Sequence, residues 1–159
     1  MITPAAHAAR VAGKFTSSYV IVAFQILAVF TLGPLVFGMD LGNWRALAVV
    51  LAAFAAFPTA VGVFLAILNV NRSLVQIIAL LGTYVIGALS GAFVPVYLLP
   101  SWLQPVAVIS PLYWAISAAQ DVMIRGAGVS EVITPVLALL ALSAVFVAAS
   151  VVKFQRAQM

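Results

Sequence analysis

The side chains able to do polar chemistry are few and stand far apart. His7 is the one histidine, the acids are Asp40, Asp121 and Glu131, and there is no cysteine. A structural or catalytic metal needs several His, Cys or carboxylate ligands converging on one point, and His7 has no carboxylate near it in sequence. Nucleophilic catalysis through histidine lacks a partner for the same reason. No Gly-x-x-x-x-Gly-Lys-Ser/Thr loop occurs, so the chain does not itself bind and hydrolyse ATP by that route. The closest pairing of opposite charges is Asp121 with Arg125, at the i,i+4 spacing of a solvated helical ion pair. These absences predict a non-catalytic chain with no cofactor and no metal.

The informative chemistry is apolar. Residues 73–120 contain no Asp, Glu, Lys, Arg or His. A run of that length lies in lipid or against it, because ionised groups are what hydrocarbon penalises most. Its second half is punctuated by Pro95, Pro100, Pro105 and Pro111 and carries Tyr97, Trp102, Tyr113 and Trp114. Each proline removes a backbone donor and clashes with the preceding turn, so one straight spanning helix is excluded there. Tyrosine and tryptophan prefer the headgroup level. The segment is therefore read as a broken, re-entrant or interfacial element over about 95–128, with Pro95 ending the span before it. Ser110-Pro111 reads as an N-cap followed by proline at the first helical position, opening a helix that Gly126 and Gly128 stop after Arg125. Ser110, Ser117 and Asp121 share one face of it, and Leu112, Ile116 and Met123 the apolar one. Ser101-Trp-Leu-Gln104 has capping-box spacing.

Composition places the rest. Hydrophobic residues make up 66% of the chain and charged ones 6%, with mean hydropathy +1.27. A soluble domain averages about 25% charged. The net charge of +4 is carried by single basic residues flanking apolar stretches, which act as topology signals and not as a nucleic-acid surface. The stretch from Phe15 to Met39 is uncharged and exceeds the roughly 7–15 residue core of a signal peptide, which fits a retained anchor.

The fold class expected is all-α integral membrane, one domain over 1–159. About 20 apolar residues cross a bilayer, and four segments qualify: 17–37, 46–68, 74–94 and 133–152. Short junctions predict that neighbours pack antiparallel. With the N-terminus inside, Arg10, Lys14, Arg72, Lys153 and Arg156 are cytoplasmic, and Arg45, Arg125 and all three acids fall outside, the usual positive-inside bias. Both termini are then cytoplasmic, in a cell membrane. Small residues at four-residue spacing (Gly87/Gly91, Ala52/Ala56/Ala60, Ala144/Ala148) mark candidate helix contacts. Pro34 and Pro58 fall inside spans. There is no internal repeat.

The order of features from Leu89-Ser-Gly-Ala-Phe-Val-Pro95 through Leu99-Pro-Ser-Trp-Leu-Gln104 and Ser110-Pro-Leu-Tyr-Trp114 to Ile124-Arg-Gly126, ending on a last span with Lys153-Phe-Gln-Arg156, resembles the membrane subunit of ABC-2-type ATP-driven exporters. The resemblance implies a permease that works with a separate ABC ATPase, as a homodimer or with another permease half, and moves a lipophilic or amphipathic substrate outward. It implies that this chain holds the last four of six spans, as a fragment, a split half or a minimal form, with Met1 to Lys14 a cytoplasmic remnant. Pro95, Pro100, Trp102, Pro111, Tyr113 and Trp114 would form an outer gate, and Arg10, Lys14 and Arg72 would face the ATPase. Without the resemblance, a non-transporting four-span accessory or assembly protein fits the composition equally.

Overall fold

In the computed structural model, which describes residues 4–68 and 71–156, the chain is helical throughout its ordered elements. In chain order these are α1 (Pro4–Phe37), α2 (Trp44–Ile67), α3 (Arg72–Leu89), a 3₁₀ turn (Val96–Leu98), α4 (Gln104–Ile109), α5 (Pro111–Arg125) and α6 (Ile133–Arg156). The side chains of Arg10, Arg72 and Arg156 lie outside the described residues.

Among the described residues, three helices are long and apolar enough to cross a membrane: Val11–Phe37, Trp44–Ile67 and Ile133–Lys153. The fourth apolar helix, Ser73–Leu89, is shorter. The span expected to continue to residue 94 stops early because the chain turns. Ser90 caps α3 through N–H to the Ile86 carbonyl, and its hydroxyl donates to the Gly87 carbonyl. Gly91 then adopts φ 91, a conformation open to glycine and costly to residues with a Cβ. Pro95 thus lies beyond the helix it was expected to end.

The N-terminal segment also differs from expectation. From Pro4 onward it is not a tail but the first turns of α1. At 1.5 Å per residue α1 is about 51 Å long, well over the ~30 Å hydrocarbon core.

The principal packing pair is α2 with α6, helices far apart in sequence. Ala46, Leu47, Val50 and Ala53 at the start of α2 share one buried cluster with Val136 and Leu139 at the start of α6. Further along both helices, Phe57 and Phe64 meet Phe146 edge-on, with centroids 5.9 and 5.7 Å apart. The order of these contacts means that α2 and α6 run parallel. The buried stripe is largely small: Ala53, Ala56, Thr59 and Ala60 on α2, Ser143 and Ser150 on α6. The three hydroxyls donate to their own helices, to the carbonyls of Ala55, Leu139 and Phe146. Lipid offers little drive for burying apolar groups against each other, so close van der Waals approach through small, internally satisfied residues is what holds such a pair.

The small-residue expectation is met on α2 at Ala56 and Ala60, but Ala52 is exposed, as are Ala144 and Ala148. On α6 the buried face runs through the serines instead. Gly87 serves a different purpose: a Cβ there would sit 3.0 Å from the Phe93 ring, which folds back over α3 after the turn. The expectation that α2 and α3 pack together also fails. α3 packs on α4 and α5, and α1 packs on α2 and α6. A short junction limits the distance between helix ends but sets no angle, so α3 leans away from the bundle.

Ala60→Leu should overpack the α2–α6 seam and cost roughly 1–3 kcal/mol, lowering the midpoint of thermal unfolding in detergent. Ala148→Leu, on an exposed face, should leave that midpoint unchanged. Equal effects would show that the packing face lies elsewhere.

Candidate functional site

The charge-free, proline-rich segment becomes a series of short turns that ends in α5. Pro95 precedes the 3₁₀ turn, whose last residues return N–H groups to the Pro95 and Val96 carbonyls. The Pro100 carbonyl accepts from both Leu103 N–H and Gln104 N–H. The capping box expected at Ser101 and Gln104 is absent: the Gln104 side-chain amide donates to the Leu99 carbonyl at 3.0 Å. With Pro105 at the second position of α4, the helix lasts one and a half turns and ends at Ser110.

Ser110 and Pro111 stand where expected, at the N-cap and first turn of α5. The serine does not cap through its side chain, however. Its own carbonyl accepts the Tyr113 N–H, and its hydroxyl is buried without a partner among the described residues. What fastens the α4–α5 joint is Trp114, whose indole N–H donates to the Val108 carbonyl at 2.9 Å. Tyr113 lies edge-on to that ring at 6.3 Å.

α5 is seated on the bundle. Ala115, Ala118 and Val122 are buried in the same cluster as the first turns of α2 and α6. Alanines at i and i+3 let the α5 backbone come close, and the α1–α2 turn comes closer still. Gly42, at φ 61, lies so near the α5 backbone that a Cβ would collide with the Val122 carbonyl oxygen and stand 3.3 Å from Met123 Cα. Asp40 shapes that turn by accepting the Gly42 N–H at 2.8 Å. The far end of α5 stops at Gly126 in the left-handed conformation, and Ala127 N–H returns to the Asp121 carbonyl. Asp121 and Arg125 pair at 2.8 Å on the surface, a contact worth at most about 1 kcal/mol.

The six residues expected at an outer gate therefore divide into two groups. Pro95, Pro100 and Trp102 are exposed on the turns. Pro111, Tyr113 and Trp114 are half-buried at the α4–α5 joint. Of the residues expected to face an ATPase, Lys14 is exposed on α1, and the side chains of Arg10 and Arg72 lie outside the described residues.

Leu112 and Ile116, expected on the apolar face of α5, line a cavity of about 120 Å³ together with Ile26 and Phe30 of α1 and Leu51 and Phe54 of α2. Small-molecule sites are typically about 300–1,000 Å³, so this space is closed to cargo in the conformation seen. Among the described residues no group of three metal-ligating side chains exists. The arrangement seats an apolar helix on the bundle.

Sequence reading passed over Gly42, Ala115, Ala118 and Val122, the residues that hold α5. The alanine spacing was legible, but small residues recur everywhere in such chains, and Gly42 read as an ordinary turn glycine.

A family model described as ABC-2 family transporter protein matches residues 1–152. No curated protein and no solved structure matches the chain.

Two glycines separate backbone strain from contact. Gly38, at φ 63, has open space around its missing Cβ, whereas Gly42 does not. Gly38→Ala should cost only the left-handed backbone penalty, about 1–2 kcal/mol. Gly42→Ala should cost that plus roughly 1–3 kcal/mol of overpacking. Chemical or thermal unfolding in detergent measures the difference, and equal losses would mean that Gly42 does not hold α5.

Proposed function

The chain belongs to the ABC-2 family of transporter proteins, and we propose that it is the membrane-spanning permease part of an ATP-driven exporter, with α5 and the turns before it as the outer gate. The observation that carries this reading is the seat of α5: a short, apolar, proline-led helix resting on the bundle through alanines and a glycine contact. Irregular backbone at membrane depth is tolerated where it is covered by protein or lines a cavity. α5 rests on α2 and α6 and lines the small apolar space beside them, while the turns before it are exposed.

A four-crossing topology fits the parallel course of α2 and α6. Two parallel crossings require the chain between them to return to its starting side. α3, about 27 Å long, is the described segment suited to that return, with a small mismatch that tilt or local thinning absorbs. Counting from a cytoplasmic N-terminus, α4 and α5 then sit at the outer face and both termini inside. The exposed Lys14 and the protruding first turns of α1, together with the 69–73 junction, face the cytoplasm in this topology and are the surfaces offered to an ABC ATPase. A second copy, or another permease half, completes the path. The acid-free, apolar lining suits a lipophilic or amphipathic substrate.

Cysteine accessibility tests the topology cleanly, since the chain has none of its own. Ser130→Cys should react with an impermeant thiol reagent from outside intact cells, and Ser73→Cys only after permeabilisation; the reverse pattern would sink the topology. For the gate, Trp114→Phe removes the bond to Val108, worth about 1 kcal/mol, and should lower export about fivefold at equal membrane abundance. Unchanged export, with no ATPase co-purifying, would favour a non-transporting accessory protein.

A further inference from the structure

A second hollow lies nearer the tip of the same hairpin and shares Phe30 with the first. Its volume is about 400 Å³, and its walls are entirely apolar. Gly33 makes the space by presenting no side chain where the chain folds back. Pro34 and Phe37 form the α1 side, and Met39 and Leu41 close it from the turn. The turn itself is held by Gly38 N–H to the Pro34 carbonyl at 2.9 Å. The hollow lies in the last turns of Val11–Phe37, a helix long and apolar enough to cross a membrane.

Four residues past Leu41, in the first turn of α2, stands Arg45, exposed, with its guanidinium 5.5 Å from the ring of Trp44. All three acids of the chain are otherwise engaged. Asp40 accepts the Gly42 N–H, Asp121 pairs with Arg125, and Glu131 accepts the Gly128 N–H at 3.0 Å. Among the described residues Arg45 thus has no ion-pair partner, and it follows a tryptophan, a residue that favours the membrane–water interface. The abundant anion at that depth of a bilayer is the phosphodiester of a phospholipid, which a guanidinium binds bidentately.

We propose that the α1–α2 turn holds one membrane phospholipid, with an acyl chain in the hollow behind Gly33 and the phosphate against Arg45. Trp44 would lie beside the glycerol region. The bound lipid would fill the space under the turn that carries Gly42, and so support the contact that seats α5. The inference requires α1 and α2 to lie in a bilayer and requires nothing about transport, so loss of lipid binding and loss of export are read separately.

Quenching of Trp44 by brominated lipid tests it. The signal of Trp44 is the difference between the unaltered chain and Trp44→Phe, both in dodecyl maltoside micelles. Phosphatidylglycerol with brominated chains should quench that signal saturably. Diacylglycerol with the same chains, which lacks the phosphate, should quench it only in proportion to its mole fraction. Arg45→Gln should raise the half-saturating phospholipid fraction about fivefold, the upper range for an exposed ion pair. Gly33→Leu should abolish the saturable part by filling the hollow. Val29→Phe, which adds bulk from an exposed wall away from the turn, should weaken it if the glycine variant does not fold. Equal quenching by the two lipids, or an unchanged half-saturation in Arg45→Gln, would overturn the proposal.

Discussion

The seam between α2 and α6 is the contact on which everything else rests. Helices already surrounded by hydrocarbon gain little by burying more of it, so their association depends on how closely their backbones approach. Ala53, Ala56 and Ala60 on one side and Ser143 and Ser150 on the other allow that approach. Because the serine and threonine hydroxyls donate to their own helices, the seam carries no unmet polar demand. Phe146, lodged against Phe57 and Phe64, fixes the register farther along. With α2 and α6 joined side by side and parallel, their first turns form a platform, and α5 sits on it.

α5 is held differently from the helices beneath it. Its contacts are those of a rider: a few alanines, one valine and a glycine from a neighbouring turn. It is anchored at its start by the Trp114 bond to Val108 and released at its end by Gly126. None of its side chains is joined to α2 by a hydrogen bond or an ion pair among the described residues, so packing alone holds it there. Beside α5 lies an apolar space too small for a typical small-molecule cargo.

The same turn connects two features that are distant in purpose. On one side Gly42 meets the α5 backbone; on the other Met39 and Leu41 wall the hollow behind Gly33. A change in the lipid-facing space would therefore be felt, through one short turn, at the seat of α5. Asp40, which accepts the Gly42 N–H, keeps that turn in shape and is a structural acid for that reason.

Much of this was legible in the residues alone. Hydropathy and the scarcity of charge required a membrane protein, and continuous apolar runs of about 20 residues required spanning helices, since barrel strands are shorter and alternate. Proline spacing required the break after α3, and Ser110-Pro111 with Gly126 marked both ends of α5, since these are local effects on the permitted backbone. What proved illegible was which small residues face which partner. Ala144 and Ala148 looked as suitable as Ser143 and Ser150, and only the rotation of α6 against α2 selected the serines. The lean of α3, the early stop at Gly91 and the close approach of Gly42 to Val122 likewise depend on contacts between segments far apart in the chain. Local chemistry determined where helices begin, end and meet lipid; the tertiary structure alone decided which of them touch, because small residues permit a close approach on any face and specify none.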